Sequence, residues 1–182
     1  MELDLPFAIA HRGASGTAPE NTRAAAIRAH ALGCRWIEVD VQLTADSIPV
    51  AIHDHTLERT TNGHGPVAAA TAAQLSALDA GQWFAPTFAG EPIPTLARMV
   101  QTCRDLGLGL NIELKPTPGA DVQTAKAVAA VVESTKQPVL VSSFSQAALG
   151  AFHASAPGIP LGALYRAVPR DVDLRRLTVP VH

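Results

Sequence analysis

Residues 35–44 read RWIEVDVQLT. Glu38 and Asp40 stand two apart, interleaved with Ile37, Val39 and Val41, so an extended chain points both acids to one face and the three aliphatic side chains to the other. Residues 111–116, NIELKP, repeat the arrangement with Glu113 and Lys115. If helices cover the outer face of such strands, the charges must turn inward. Buried there, they cost several kcal/mol unless they are paired or bound to metal.

Working outward, apolar runs alternate with segments of helical period. Strands are expected at 7–12, 35–44, 48–54, 108–116, 138–144, 160–166 and 179–182, the third as an antiparallel excursion. A helix over 22–32 places Ile27 and Ala31 on one face and stops at Gly33. A second begins at the capping-box pair Thr71 and Gln74. A third follows Thr95, buries Leu96, Met99, Val100, Cys103 and Leu106 at i, i+3, i+4 spacing, and stops at Gly107. Further helices are expected over 121–134, 145–154 and 171–177.

Strands alternating with amphipathic helices give a parallel sheet covered by helices. Between an open doubly wound sheet and a closed barrel, the polar residues decide. His11, Glu38, Asp40, Glu113 and Lys115 fall at or near the carboxyl ends of strands, where barrel enzymes collect their catalytic groups. The expected fold is therefore an α/β (β/α)8 TIM-type barrel. It forms one domain over 1–182, with an inserted subdomain over 55–95 that is rich in Gly and Pro and lies over the barrel mouth. Eight units take about 250 residues, so the 182-residue sequence is expected to lack the last two. That leaves either a truncated barrel or a homo-oligomer paired through exposed edges.

Composition narrows the class. The chain is 47% hydrophobic and 16% charged with a net charge of −2, which fits a globular core and offers no basic field for nucleic acid. The amino terminus MELDLPFAIA carries acids where a secretory signal carries bases, and its apolar run is too short to span a bilayer. A cytoplasmic location without membrane insertion is the expectation. Cys34 and Cys103 are expected to be reduced and buried.

Three converging carboxylates without a cysteine make an oxygen-rich site suited to Mg²⁺ or Ca²⁺ rather than Zn²⁺; a Lys or Arg pairing with one of them is the alternative. His11 and His53 each end a short apolar run, AIAH and VAIH. A lone histidine so placed is more often structural, but two beside three carboxylates suit proton transfer near neutral pH. Arg12 adds a planar cation able to hold two phosphate oxygens. Together these groups describe phosphodiester cleavage.

The stretches AHRGASGTAPENT, IEVDVQLTADSIPVAIHD, LERTTNGHG, DAGQWF, IPTL, NIELKP and SSF, in that order, resemble the glycerophosphodiester phosphodiesterase family. The resemblance implies a (β/α) barrel with a small insertion and hydrolysis of glycerophosphodiesters to glycerol 3-phosphate and an alcohol. It further implies His11 and His53 as general acid and base, Glu38, Asp40 and Glu113 as ligands of a divalent cation, and Arg12 and Lys115 as phosphate contacts. Trp83 and Phe84 either shape the glycerol side of the pocket or anchor the insertion. The family's later strands, one with Trp and Asn and one of the DGIITD kind, have no counterpart in the sequence. Three rivals stand beside this reading. One is a related lipid phosphodiesterase, for which the TTNGHGP loop is too polar. Another is a zinc hydrolase using His53 and His55. The third is a barrel that folds but turns nothing over.

Overall fold

A computed structural model describes residues 5–133 and 135–167 of the chain. Five strands, β1 (Trp36–Leu43), β2 (Pro49–Ala51), β3 (Gly109–Leu114), β4 (Val139–Ser143) and β5 (Leu161–Ala163), form one sheet in the order β2-β1-β3-β4-β5. β1, β3, β4 and β5 run parallel, whereas β2 folds back antiparallel on the end of β1 with Val41 opposite Ala51. Helices α1 (Arg23–Ala31), α3 (Leu96–Leu106), α4 (Asp121–Val132) and α5 (Gln146–Ser155) cover the sheet, and the short α2 (Ala72–Ser76) lies in the long connection between β2 and α3. This is the arc of a (β/α) barrel.

The two-residue period sorts the side chains. Ile37, Val39, Val41, Leu110, Ile112, Leu114, Val139 and Val141 point outward into the main core, where they meet Leu96, Met99, Cys103, Val128 and Phe152 of the helices. Glu38, Asp40 and Gln42 take the opposite face. In the parallel register Glu38 lies beside Asn111, and Asp40 beside Glu113, which itself neighbours Ser142. The barrel interior is thus polar while its outer wall is apolar.

Local signals position the helices. Thr22, Thr95 and Ser145 accept from backbone N–H groups three residues on, at Ala25, Arg98 and Ala148, and Thr71 with Gln74 forms a full capping box. Gly107 ends α3 in the left-handed region at φ 67°. Gly109 is required for another reason: a Cβ there would meet the buried Trp36 ring at 2.3 Å.

Several expectations need correction. Residues 7–12 form no strand; only Ala10 bridges to Ile37, and Phe7 is fully exposed. Among the described residues Ala10 has a backbone partner on one side alone, which is too little to set a ladder. On α1 the buried face is Ala25, Ala26 and Ala29, with Ile27 and Ala31 exposed. Small side chains let α1 sit close, and the loop at Gly13 packs directly on Ala25. The excursion at 48–54 is a three-residue strand, turned by Ser47 at φ 62°. Cys103 is buried but Cys34 is only half-buried, and both are free. The expected helix at 171–177 and strand at 179–182 lie outside the described residues.

Between β2 and α3 the chain builds a second small core from Val50, Ile52, Leu57, Val67, Leu75, Ala80 and Ile93. No described helix is long and apolar enough to cross a membrane. Gly109→Ala should destabilise the fold by about 1–3 kcal/mol by driving a methyl group into Trp36, read as a lower urea midpoint at unchanged m-value.

Candidate active site

The site begins where the chain leaves Ala10. Ala10 N–H donates to the Trp36 carbonyl (3.0 Å), and its own carbonyl accepts from Glu38 N–H (2.9 Å), which fixes the next residues against β1. Arg12 and Gly13 are both left-handed, at φ 57° and 76°. At Gly13 a Cβ would lie 2.7 Å from that of Ala25, so only glycine lets the loop turn this close to α1. The reversal points Arg12 N–H at Glu38 Oε2 (2.9 Å) and leaves the His11 side chain largely exposed, its Nε2 3.8 Å from the same oxygen.

Glu38, Asp40 and Glu113 each offer an oxygen within 4.8 Å of the others. Glu38 and Asp40 are almost fully buried, and Glu113 is half-buried. Asp40 is the most tightly held: Asn21 Nδ2 donates to its Oδ2 (2.9 Å), and Asn21 Oδ1 accepts from its N–H (3.0 Å). Arg12 Nε stands 3.1 Å from Oδ2 without being aimed at it, so that contact is ionic rather than a hydrogen bond. Lys115 Nζ lies 3.5 Å from Oδ1.

Two buried oxygens in this cluster, Glu38 Oε1 and Asp40 Oδ1, have no hydrogen-bond donor among the described residues. Burial, and then the charges of Asp40 and Glu113, push the Glu38 carboxyl up to about 8; burial and Asp40 raise that of Glu113. Crowded carboxylate oxygens without a hydrogen-bond donor are what a hard cation satisfies. The three residues therefore fit a divalent cation, and among the described residues no histidine or cysteine joins the group.

His53 reaches the same cleft from the end of β2. Gln42, fully buried on the inner face of β1, holds the backbone there: its Nε2 faces the carbonyls of Ile52 (3.1 Å), His53 (2.9 Å) and Asp54 (2.7 Å). The amide oxygen of Gln42 accepts from His55 Nδ1 (2.8 Å), so His55 is engaged away from the carboxylate cluster. His53 Nδ1 lies 2.6 Å from Asp54 Oδ1. A carboxylate only accepts, which fixes Nδ1 as the protonated nitrogen and leaves Nε2 unprotonated in the neutral ring. Burial and the adjacent Arg12 lower the titration of His11 below that of a free histidine.

The cleft has a volume of about 1100 Å³ and brings together His11, Arg12, Asp40, His53, Glu113 and Lys115. Thr117, Ser145, Phe144 and Arg166 form its other side. Trp83 and Phe84 do not line it. Trp83 donates to the Ala80 carbonyl (2.8 Å) and meets Phe84 edge to face, as Phe84 does Phe88. Residues that the sequence reading did not single out complete the site: Asn21 on Asp40, Gln42 under His53, Asp54 on His53, and Glu20, which joins Arg12 (2.8 Å) to Arg59 (2.8 Å). Glu20 and Asn21 lie in the PENT stretch and Asp54 in the HD pair, while Gln42 continues the inward alternation of Glu38 and Asp40; these are the signals the sequence offers.

Residues 11–180 match the Glycerophosphoryl diester phosphodiesterase family. The chain is 43% identical over 162 residues to a glycerophosphodiester phosphodiesterase of Caldanaerobacter subterraneus, covering 87% of this chain and 66% of that relative. Its fold superposes with a TM-score of 0.89, at 42% identity, on a phosphodiesterase of Oleispira antarctica in complex with the product sn-glycerol-3-phosphate, covering 92% of this chain and 69% of that one. A glycerophosphodiester phosphodiesterase of Agrobacterium tumefaciens gives a TM-score of 0.73 at 37% identity, with 84% of this chain and 64% of that one covered.

The raised Glu38 carboxyl has a consequence for stability. In chelator-treated protein, folded Glu38 keeps a proton that the unfolded chain releases above its ordinary value near 4.5, so stability falls as pH rises from there to about 8. Glu38→Gln removes this penalty. Under chelation the variant should match wild type near pH 4.5 and exceed its Tm by roughly 5 to 10 °C at pH 8. Added Mg²⁺ or Ca²⁺ should raise the wild-type Tm more at pH 8 than at pH 5.5, because binding displaces that proton.

Proposed function

Because the chain belongs to the glycerophosphoryl diester phosphodiesterase family, we propose that it hydrolyses glycerophosphodiesters to glycerol 3-phosphate and an alcohol, with Mg²⁺ or Ca²⁺ held by Glu38, Asp40 and Glu113. The observation that carries this reading is the pair of buried oxygens on Glu38 and Asp40 without a hydrogen-bond donor among the described residues, beside a cleft that also holds His11, His53, Arg12 and Lys115. The product held by the Oleispira antarctica phosphodiesterase supports the same substrate class.

When bound, the cation supplies positive charge to the phosphoryl oxygens. The protein's own groups do the rest. Arg12 and Lys115 hold the phosphate, with Arg12 tethered to Glu20 so that its planar head has a fixed orientation. His53, with Nε2 unprotonated, takes the proton of the attacking oxygen. His11, exposed at the mouth, gives one to the departing oxygen in its protonated form. The segment 55–95 forms the inserted subdomain over the mouth, and Trp83 with Phe84 stiffens it. A cytoplasmic setting fits the two free cysteines.

The test is release of glycerol 3-phosphate from glycerophosphocholine by the purified chain. Activity should disappear with chelator and return with Mg²⁺ or Ca²⁺. His11→Ala and His53→Ala should each lower kcat by about 10²–10⁴-fold while metal affinity stays within about threefold of wild type, since neither ring belongs to the carboxylate cluster. Turnover that is indifferent to chelator would remove the cation from the reading, and loss of metal binding on replacing either histidine would reassign that residue as a ligand.

A further inference from the structure

Arg59 belongs to neither the carboxylate cluster nor the lining of the cleft, yet its guanidinium spans two carboxylates at once. Its Nε donates to Asp54 Oδ2 (2.6 Å) and its Nη2 to Asp54 Oδ1 (3.0 Å). On the other side Nη2 donates to Glu20 Oε1 (2.8 Å) and Nη1 to Glu20 Oε2 (2.9 Å). Both carboxylates are gripped at both oxygens, a geometry that needs the planar fork of arginine. Asp54 Oδ1 is also the acceptor of His53 Nδ1, and Glu20 Oε1 accepts from Arg12 Nη1. One unbroken chain of contacts therefore runs Arg12, Glu20, Arg59, Asp54, His53.

We infer that Arg59 is a positioning residue for His53: by clamping Asp54 to Glu20 it holds the histidine as its Nδ1–H tautomer, with Nε2 free for the reaction. This rests on the reading of His53 as an acid/base group. The reasoning turns on what Asp54 would do alone. Its side chain is partly exposed and follows His53 directly in sequence, so an unclamped carboxylate would sample rotamers in water and release Nδ1. The hydrogen bond at one ring nitrogen selects the tautomer, and so decides which nitrogen can accept a proton.

The clamp also comes from a firm base. Leu57, Thr60 and Thr61, which flank Arg59, are buried, and Thr61 Oγ1 donates to the Leu57 carbonyl (2.6 Å). The insertion's own core thus fixes the backbone from which Arg59 reaches back to the barrel loop at Glu20. Arg59 itself is partly exposed, so replacing it leaves both cores intact. Glu20→Gln offers a second way to weaken the clamp while keeping Arg59 on Asp54.

The experiment is long-range ¹H–¹⁵N correlation of the histidine rings in the full chain, above the imidazole titration range. It compares wild type, Arg59→Gln, Arg59→Lys and Glu20→Gln, with kcat and KM for glycerophosphocholine and Mg²⁺ affinity measured in parallel. In wild type His53 should be the Nδ1–H tautomer. Both Arg59 variants should shift it toward Nε2–H and lower kcat by about 10- to 100-fold, with KM and Mg²⁺ affinity within about twofold. Lysine should not rescue, because a point charge cannot grip four oxygens. Glu20→Gln should give a smaller tautomer shift in the same direction. A His53 that stays Nδ1–H in the Arg59 variants, or an unchanged kcat where wild type turns over, overturns the assignment. An inert wild type whose tautomer still follows Arg59 sinks the proposed reaction and supports the clamp.

Discussion

Three carboxylates inside a barrel wall are the constraint around which the rest is arranged. Glu38, Asp40 and Glu113 share a space less than 5 Å across, with two of them buried. With two of the three buried, solvent screens their mutual repulsion poorly, so the structure compensates with contacts drawn from distant parts of the chain. The left-handed turn at Arg12 and Gly13 delivers a backbone N–H to Glu38, and Asn21, also left-handed at φ 58°, clasps Asp40 at two points. Lys115, two residues beyond Glu113, supplies the second cation. The HRG and PENT stretches are explained by this single demand.

The two-residue period of β1 and β3 was legible because it is a local property. Once outer helices are inferred, alternation alone sends Glu38, Asp40 and Glu113 inward. Helix boundaries were equally readable at Thr95 and Gly107, where capping chemistry acts within three residues. Ile27 was misread because apolarity says which residues can be buried, whereas the neighbours decide which are. The face of α1 that meets the core is made of alanines, which allow close approach. Phe7–Arg12 looked like a strand because its composition suits one, but a strand also needs partners along its length.

The polar network could not be read in the same way. Glu20 and Arg59 are 39 residues apart, and Gln42 reaches the carbonyl of Asp54 12 residues on. Nothing in local spacing couples them, since their meeting depends on β2 folding back over β1 and on the path of the segment that follows it. Trp83 and Phe84 show the converse case. The family resemblance left them either shaping the glycerol side of the pocket or anchoring their own segment; Phe84 meets both Trp83 and Phe88 edge to face, and neither Trp83 nor Phe84 lines the cleft.

Charge also bears on the proposed reaction. When all three carboxylates are ionised, Arg12 and Lys115 leave one negative charge uncompensated, and Arg12 shares its cation with Glu20. Such a site repels a phosphodiester, which is itself an anion. Retaining a proton on Glu38 removes the excess but offers the substrate no attraction. A divalent cation does more: it turns the excess into one net positive charge, enough to balance one phosphodiester anion. On the proposed reading, the same crowding that destabilises the metal-free protein thereby sets the affinity for a substrate of opposite sign. A stronger set of fixed cations would stabilise the empty barrel but would also hold the more highly charged product, glycerol 3-phosphate, after cleavage. On that reading, leaving the carboxylates short of partners makes the site's charge conditional on whether a cation is bound.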